Sequence, residues 1–374
     1  MDFELSDEQR MLQDSVLRFV VDKYGLSNRQ ALTKSDLGFS AENWAIFAEM
    51  GWLGLPFPEN IGGFGGTAVD IAVLMEALGG GLVLEPYVST VLLGGKLVEY
   101  AGSSEQQDKI LRPVIEGKMH LAFAYAEPNS RYNISDIQMT AVSDGADYIL
   151  NGDKAVVLHG ASADKIIVSC RTSGNRLDET GVSLFVVDKN ADGIERRDAR
   201  TLDGQRASEF LFTNVKVDSS SLLGPKDQAY PIMEKVIDQA TSAICAEAVG
   251  AMHNVNEITK EYVATRNQFG KAIGSNQVIQ HRLVDMHIAT EHAKSLSDMA
   301  AMHADSSDED RKQAVSATKA KVGDAARFVG EQGIQLHGGI GMTDEYSIGH
   351  YAKRLAVIDM LFGNADFHRA RYSQ

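Results

Sequence analysis

Residues 266–277, which read RNQFGKAIGSNQ, interrupt a long helical pattern in the C-terminal part of the chain. Glycine is unfavourable inside helices, so two glycines here predict a tight turn or a close approach of the backbone to another group. Arg266 carries a fork of donors suited to a pyrophosphate, Phe269 offers an aromatic face for stacking, and Gln277 offers an amide. Joints between helices often have this composition, so a plain joint and a ligand contact are both open alternatives.

The pattern around this stretch divides the chain into three parts. After Pro225 the helical spacing continues almost to the end, in segments of about 25 to 30 residues that match an antiparallel bundle. Helical spacing also runs from Asp7 to about Leu111, interrupted by Pro- and Gly-rich segments at 54–66 and 78–87. Between these parts, short β-rich runs such as KIIVSC and VSLFVV alternate with turn residues.

Strands confined to the middle of the chain predict an α+β fold and not an alternating Rossmann chain. A length of 374 residues also exceeds what a single core usually organises. The predicted domains are an N-terminal helical domain over 1–119, a middle antiparallel β-barrel or sandwich over 120–225, and a C-terminal helical bundle over 226–374.

Composition excludes several classes of partner. The formal net charge is −15 and no extended Lys/Arg cluster occurs, which argues against nucleic acid or an anionic membrane as a partner. The N-terminus is acidic and amphipathic and no stretch reaches membrane-spanning length, so we expect a cytoplasmic protein. Cys170 and Cys245 are far apart, and His281, His287 and His292 lack ligand spacing, so no disulfide framework or metal site is expected.

A second glycine-containing stretch, IQLHGGIGMTDEY, covers residues 334–346. Its HGG is similar to an esterase oxyanion loop, but the chain has no G-x-S-x-G nucleophile elbow. Its GGIG follows a helix and lacks the preceding strand and the Lys-Ser/Thr of a phosphate-binding P-loop. Neither interpretation is therefore adopted.

Together these stretches resemble the acyl-CoA dehydrogenase family, a flavoprotein fold of helical domain, β-barrel and four-helix bundle. The resemblance spans essentially the whole chain, from FELSDEQRML through GWLGLPFPENIGGFGG, AEP, LNGDK and LLGP to the two C-terminal signatures. Within the family, the chain looks most similar to the small-subunit type of pimeloyl-CoA dehydrogenase, judged from VLHGASADKIIVS, CAEAVGAM and the C-terminal stretches.

The resemblance implies that FAD takes a hydride from Cβ of an acyl-CoA thioester while a carboxylate takes the Cα proton, giving the 2,3-enoyl-CoA. It implies an oligomer, because family members bind the FAD pyrophosphate of a neighbouring subunit through the first signature and approach the adenine half through the second. It also implies an electron-transfer acceptor, such as electron-transfer flavoprotein. The cofactor-binding positions carried over to this chain are Arg266, Asn267, Gln268, Phe269, Asn276, Gln277, Gln335, Leu336, His337, Gly338 and Gly339.

Two departures from the family pattern lie on the flavin side. The loop that wraps the flavin pyrimidine edge is here AEPNSRYNISD (126–136), which keeps Glu127 and Pro128 but replaces the glycines with bulkier polar residues. The strand that backs the flavin is VVLHG (156–160), so an indole wall is lost and Leu158 replaces a threonine. Glu127 and Leu158 are the predicted flavin-side contacts, and this half of the site is altered while the adenine side is intact.

The third departure concerns the catalytic base. The family's usual tyrosine-glutamate-glycine-threonine motif aligns with Leu361 to Asn364, and Phe362 cannot accept a proton. The backbone of Phe362 and Gly363 could still bind the thioester. Other family members place the base on the first bundle helix, at a position occupied here by Ala240. Glu247 lies two turns further on, nearly on the same face and without a counter-charge among its helix neighbours, and is the predicted base.

Three functions compete at this point. The leading interpretation is an active or half-active acyl-CoA dehydrogenase subunit with FAD. The second is a non-catalytic partner that completes the FAD site of a sister subunit in a hetero-oligomer, and the third is a flavoprotein oxidase of the same fold. The acyl group, and the choice between a homo- and a hetero-oligomer, stay open.

Overall fold

The N-terminal third of the chain is helical, as the spacing of its apolar residues predicts. A computed structural model describes residues 5–373, so Phe3 and Glu4 of the FELSDEQRML motif lie outside the described residues. Capping boxes begin three of the helices, with Ser6, Thr67 and Ser103 as the caps. The helices are α1 (Asp7–Lys23), α2 (Leu26–Lys34), α3 (Ala41–Glu49), α4 (Ala68–Gly80), α5 (Lys96–Ala101) and α6 (Ser104–Ile115), with a π-helical segment at Val88–Gly95 before α5.

The middle part of the chain contains the strands of the large sheet. They are β1 (Leu121–Ala124), β2 (Thr140–Asp144), β3 (Asp147–Leu158), β4 (Lys165–Arg171), β5 (Val182–Asp188), β6 (Ile194–Arg200), β7 (Arg206–Val217) and β8 (Leu222–Leu223). They form one mixed sheet in the order β6-β7-β3-β2-β4-β5-β8, with β1 paired to β4. Most pairs are antiparallel, as predicted, but β4 runs parallel to both β1 and β2, which the prediction did not include. Phe185, Phe210 and Phe212 lie in the buried core of this part.

Long helices return after the sheet. The first three are α7 (Tyr230–Thr265), α8 (Gln277–His303) and α9 (Asp308–His337), followed by α10 (Ile348–Met360) and α11 (Ala365–Tyr372). Two short strands, β9 (Asn267–Gln268) and β10 (Lys271–Ala272), lie between α7 and α8. The predicted fold class, with helices on either side of a central β part, is confirmed. No helix within residues 5–373 combines the length and apolar composition needed to cross a bilayer.

Small residues on α7 allow α4 to approach it closely. A Cβ added at Gly250 would lie 1.8 Å from the carbonyl oxygen of Glu76, and one added at Gly79 would lie 2.0 Å from that of Glu247. Backbone therefore meets backbone where the two helices cross, which no larger side chain would permit. This packing accounts for the run of small residues around Glu247.

The described chain forms two compact units. One contains the residues up to Ala31, Thr67–Val83 and Thr241 onward, and is entirely helical apart from the β9–β10 hairpin. The other contains Leu32–Gly66 and Leu84–Ala240, and holds the large sheet. The predicted boundaries at residues 119 and 225 stay a prediction.

Candidate functional site

The first signature folds as a two-residue hairpin directly after α7. Gln268 pairs with Lys271, and the two turn residues, Phe269 and Gly270, have φ angles of +53° and +82°. Positive φ at both positions is the geometry of a type I′ turn, which disfavours a bulky residue at its first position. Phe269 is nevertheless there, with its side chain fully exposed at 102%. Strained backbone positions of this kind cluster at functional sites, and here the strain presents an aromatic ring to solvent.

The predicted polar contacts of this hairpin also face solvent. The Arg266 guanidinium makes no hydrogen bond or ion pair with any other described residue, and its backbone is fixed by Tyr262 and Ile273. Asn267 and Gln268 use their amides on neighbouring carbonyls of the hairpin. Asn276, in contrast, precedes α8 and donates from Nδ2 to the Ile273 carbonyl at 3.0 Å, while Gln277 is exposed at the first position of α8.

The second signature lies beside the first in the same compact unit. His337 ends α9 and stacks on Tyr262, four residues before Arg266, with ring centroids 4.3 Å apart. Its Nδ1 donates to the Gly333 carbonyl at 2.7 Å, whereas its buried Nε2 has no hydrogen-bond partner among residues 5–373. Burial lowers the pKa of His337, so the ring is neutral.

The backbone after His337 is open on one side. Gly338 has a φ of +65°, and a Cβ added at Gly338 or Gly339 would meet no other atom within 4 Å. Gln335 is exposed and Leu336 is buried. The two signatures thus together present a free cation, an exposed aromatic ring and uncovered glycine backbone, which suits an anionic ligand carrying an aromatic ring.

Glu127 has all its partners inside the middle part of the chain. Its carboxylate accepts from Lys154 Nζ at 2.9 Å and from the backbone N–H groups of Gln138 and Met139 at 2.8 and 3.1 Å. Desolvation lowers the pKa of the fully buried Lys154. Glu127 therefore anchors the loop that follows it to β3, and its predicted contact with a cofactor stays a prediction.

Leu158, the other predicted flavin-side residue, lies half-buried at the end of β3 opposite Ala207. The strand is irregular just before it, where Val156 has a φ of +52° and is 59% exposed at the position of the missing indole. A cavity of about 340 Å³ opens nearby, a feature that the sequence did not predict. Its lining includes Pro128, Lys154, Ala155, Arg196 and Phe210.

The predicted base, Glu247, has a counter-charge that its helix neighbours do not reveal. Arg354 of α10 donates from Nε to Glu247 Oε1 at 2.6 Å and from Nη2 to Oε2 at 2.8 Å. Glu247 and Arg354 are each 4% exposed. Both carboxylate oxygens are therefore paired with a residue distant in sequence, and the assignment of Glu247 as the base stays a prediction. Through this ion pair, Glu247 connects α7 to α10.

The turn at residues 361–364 contains two backbone donors, those of Phe362 and Gly363, that have no acceptor among the described residues. Phe362 is buried with a φ of +58°, and Gly363 has a φ of +113°. Within residues 5–373 neither N–H donates a hydrogen bond, whereas the carbonyls are held by Lys319 and His368. Sequence analysis missed these two residues. A signal for Lys319 exists, since it lies among small and apolar residues in ATKAKVG.

Comparisons with known proteins cover nearly the whole chain. The acyl-CoA dehydrogenase N-terminal domain matches residues 6–118, its middle domain 122–215 and its C-terminal domain 230–374. YngJ of Bacillus subtilis, described as a probable acyl-CoA dehydrogenase, is 28% identical over 374 residues, covering 99% of this chain and 98% of the relative.

Two further matches carry functional terms in their names. Subunit CarC of the caffeyl-CoA reductase-Etf complex of Acetobacterium woodii is 29% identical over 307 residues, 80% of each chain. The solved FAD complex of PigA has a TM-score of 0.92 and 26% identity, covering 100% of this chain and 98% of that one.

Proposed function

The chain belongs to the acyl-CoA dehydrogenase family, and from this premise we propose that it is a subunit of an FAD-dependent enzyme that converts an acyl-CoA thioester to the 2,3-enoyl-CoA. FAD supplies the acceptor for the hydride that leaves Cβ. The protein must hold this cofactor, orient the thioester carbonyl and remove the Cα proton.

The observation that carries the proposal is the exposed hairpin of the first signature. Arg266 is free to pair with a pyrophosphate, and Phe269 is held in a strained turn with its ring in solvent. Gly338 and Gly339 leave room for close approach to a ligand. These residues fit the pyrophosphate and adenine half of FAD, and their exposure within this chain supports contact with cofactor bound mainly by another subunit.

Exposed apolar residues near the hairpin in sequence support an oligomer. Val284 and Ile288, one turn apart on α8, are 55% and 46% exposed, and Met342 after the second signature is 76% exposed. The adjacent pair on α8 offers apolar surface that contact with another subunit would bury. We propose a dimer or tetramer, made of copies of this chain or of this chain and a sister subunit.

The turn at 361–364 supports a role toward the substrate. The N–H of Phe362 has no acceptor among the described residues, and it can donate to the thioester oxygen as charge develops there. This task needs no side chain, so the loss of the acid at this position does not remove it. Electrons then pass to an external acceptor, for which electron-transfer flavoprotein is the proposal, in keeping with the Etf complex that CarC belongs to.

A second candidate function is a non-catalytic partner subunit. The pairing of both Glu247 oxygens with Arg354 favours it, because no carboxylate at the predicted position is free to take the Cα proton. In this arrangement a sister subunit supplies the base, while this chain completes the sister's FAD site through Arg266 and Phe269.

The test begins with flavin absorbance per polypeptide for the chain purified alone and after co-expression with the neighbouring gene. Arg266→Ala should lower FAD occupancy sharply, because a phosphate loses a charged partner. Lys271→Ala removes an exposed charge from the same hairpin and should keep the flavin. Full occupancy in Arg266→Ala contradicts the assignment of the hairpin.

Anaerobic mixing with acyl-CoA thioesters of different chain lengths separates the candidate functions. Flavin reduction by the chain alone supports an enzyme with its own chemistry. Flavin and activity that both require the sister chain support the partner role. Rapid reoxidation of the reduced enzyme by oxygen instead identifies an oxidase.

A further inference from the structure

We infer that Lys319 and His368 are positioning residues, which hold the turn at 361–364 by its carbonyl side so that its N–H groups receive the thioester oxygen. This inference deepens the proposed function and rests on it. It gives a positioning role to two buried side chains that the family resemblance did not single out.

Lys319 is committed to the backbone of this turn. Its Nζ donates to the carbonyl oxygen of Asp359 at 2.8 Å and to that of Gly363 at 2.5 Å. The whole residue is 0% exposed, so its donors are directed to protein acceptors and not to water. Burial lowers the pKa of Lys319 to about 8, with the Asp359 carboxylate opposing that shift. A buried ammonium is tolerated only where such acceptors surround it, and here they are a carbonyl in the last turn of α10 and a carbonyl of the turn that follows it.

His368 holds the carbonyl between these two ends. Its Nε2 lies 3.1 Å from the Phe362 carbonyl oxygen, and because a carbonyl only accepts, Nε2 must carry the hydrogen. The Nδ1 atom is buried and has no partner among residues 5–373. Burial and the nearby Lys319 charge lower the pKa of His368 to about 3, in keeping with a neutral ring.

The contact of His368 with the Phe362 carbonyl fixes the direction of the Gly363 N–H group. In a trans peptide the N–H of residue i+1 points opposite to the C=O of residue i, so Gly363 N–H points away from His368. The close packing around this turn requires glycine at position 363, since a Cβ there would lie 2.4 Å from a ring atom of Phe367 and 2.8 Å from His368 Nε2. Neither the N–H of Gly363 nor that of Phe362 donates to an acceptor in the described chain.

N–H donors without an acceptor can stabilise the negative charge that develops on the thioester oxygen during dehydrogenation. When a base takes the Cα proton, the electron pair of that C–H bond moves toward the carbonyl oxygen, which becomes more negative. Preorganised N–H groups stabilise this oxygen more than the ground-state carbonyl. The step requires no reactant beyond those of the proposed reaction.

The test compares ligands that differ in one oxygen. Unreactive 2-enoyl-CoA thioesters of short, medium and long chain are titrated calorimetrically into the holoenzyme, each beside the S-alkenyl-CoA thioether that lacks the carbonyl. The wild-type protein should prefer the thioester about tenfold, the effect of a well-aligned hydrogen bond. Lys319→Met and His368→Leu should bring that preference close to one without changing thioether affinity.

Two further variants separate positioning from general stability. His368→Gln keeps a donor near the Phe362 carbonyl and should retain the preference for the thioester. This variant tests the inference even if Lys319→Met does not fold. Lys321→Met removes an exposed lysine of the same helix and should behave as wild type. Equal weakening of thioester and thioether binding shows a merely structural role and overturns the inference, as does an unchanged preference in both Lys319→Met and His368→Leu.

Titration of the wild-type protein distinguishes a failure of this inference from a failure of the proposed function. If it binds thioester and thioether equally, the inference fails while the proposed function stands. If it binds none of the CoA ligands, the proposed function fails and the inference fails with it.

Discussion

Replacing Glu247 by Gln distinguishes a structural ion pair from a catalytic base. Glutamine has nearly the same shape but no charge, and its amide nitrogen cannot accept one of the two hydrogen bonds that Arg354 donates at 2.6 and 2.8 Å. Arg354 is 4% exposed, so the substitution removes the Glu247 carboxylate from beside a buried guanidinium. Removing one partner of such a pair typically costs about 3–5 kcal/mol of stability. We therefore expect Glu247→Gln to be strongly destabilised.

The size of the effect is measured by urea unfolding and by amide hydrogen exchange of α7 and α10. Glu257→Gln is the matched control, since Glu257 lies on the same helix and its pair with Lys260 is exposed. Loss of an exposed pair should change stability by about 0–1 kcal/mol. A double variant, Glu247→Gln with Arg354→Met, removes the buried charge as well and should recover much of the lost stability.

The result that refutes this reasoning is specific. If Glu247→Gln unfolds like the parent, binds FAD and acyl-CoA, and yet fails to reduce flavin in an anaerobic single turnover, then Glu247 is the base after all. A destabilised variant that still reduces flavin at the parental rate, measured well below its unfolding temperature, establishes the structural role.

Three other substitutions test separate parts of the fold. Gly250→Ala should destabilise the protein by several kcal/mol, because the new Cβ would lie 1.8 Å from the Glu76 carbonyl oxygen, and a parental melting curve would contradict the helix crossing. Lys154→Met should expose the loop after Glu127 to limited proteolysis at Arg131, since it leaves a buried carboxylate without its cation, and an unchanged digestion pattern would show that the loop has another anchor. The pKa of His368 is lowered to about 3, so below about pH 6.5 its side chain is protonated in the unfolded chain but stays neutral in the folded chain. The free energy of unfolding should therefore drop by about 2 kcal/mol between pH 7 and pH 5. Urea unfolding of His368→Gln at the two pH values should lack this drop.

The fold was predictable from the sequence because its signals are local. The spacing of apolar residues and the caps at Ser6, Thr67 and Ser103 define helices over short windows. The β-rich runs between residues 120 and 225 define strands in the same way. Their pairing partners are not local, and so the parallel pairing of β1 with β4 was not foreseen.

For the candidate site, the sequence indicated which residues lie at the surface and not which buried groups pair. Arg266 and Phe269 lie exposed on a hairpin, which agrees with the role toward another subunit that we propose for them. The sequence did not reveal the partner of Glu247, because Arg354 comes from a helix more than one hundred residues later. Helix neighbours in sequence show which charges lie on one face, but they carry no information about the helix that packs against that face.

The composition of the helical unit has a consequence for how the chain folds. Its segments come from both ends of the sequence and from Thr67–Val83, so its core cannot form until residues separated by most of the chain have met. Contacts of such long sequence separation slow folding, since the loops between them must close first. A fragment containing only the C-terminal helices would lack α4, which packs against α7 and α8, and should aggregate during expression. Fusion partners or tags should therefore be attached at the termini and not inserted into the stretches of chain that connect the helices of this unit, since a longer connection would make their association slower.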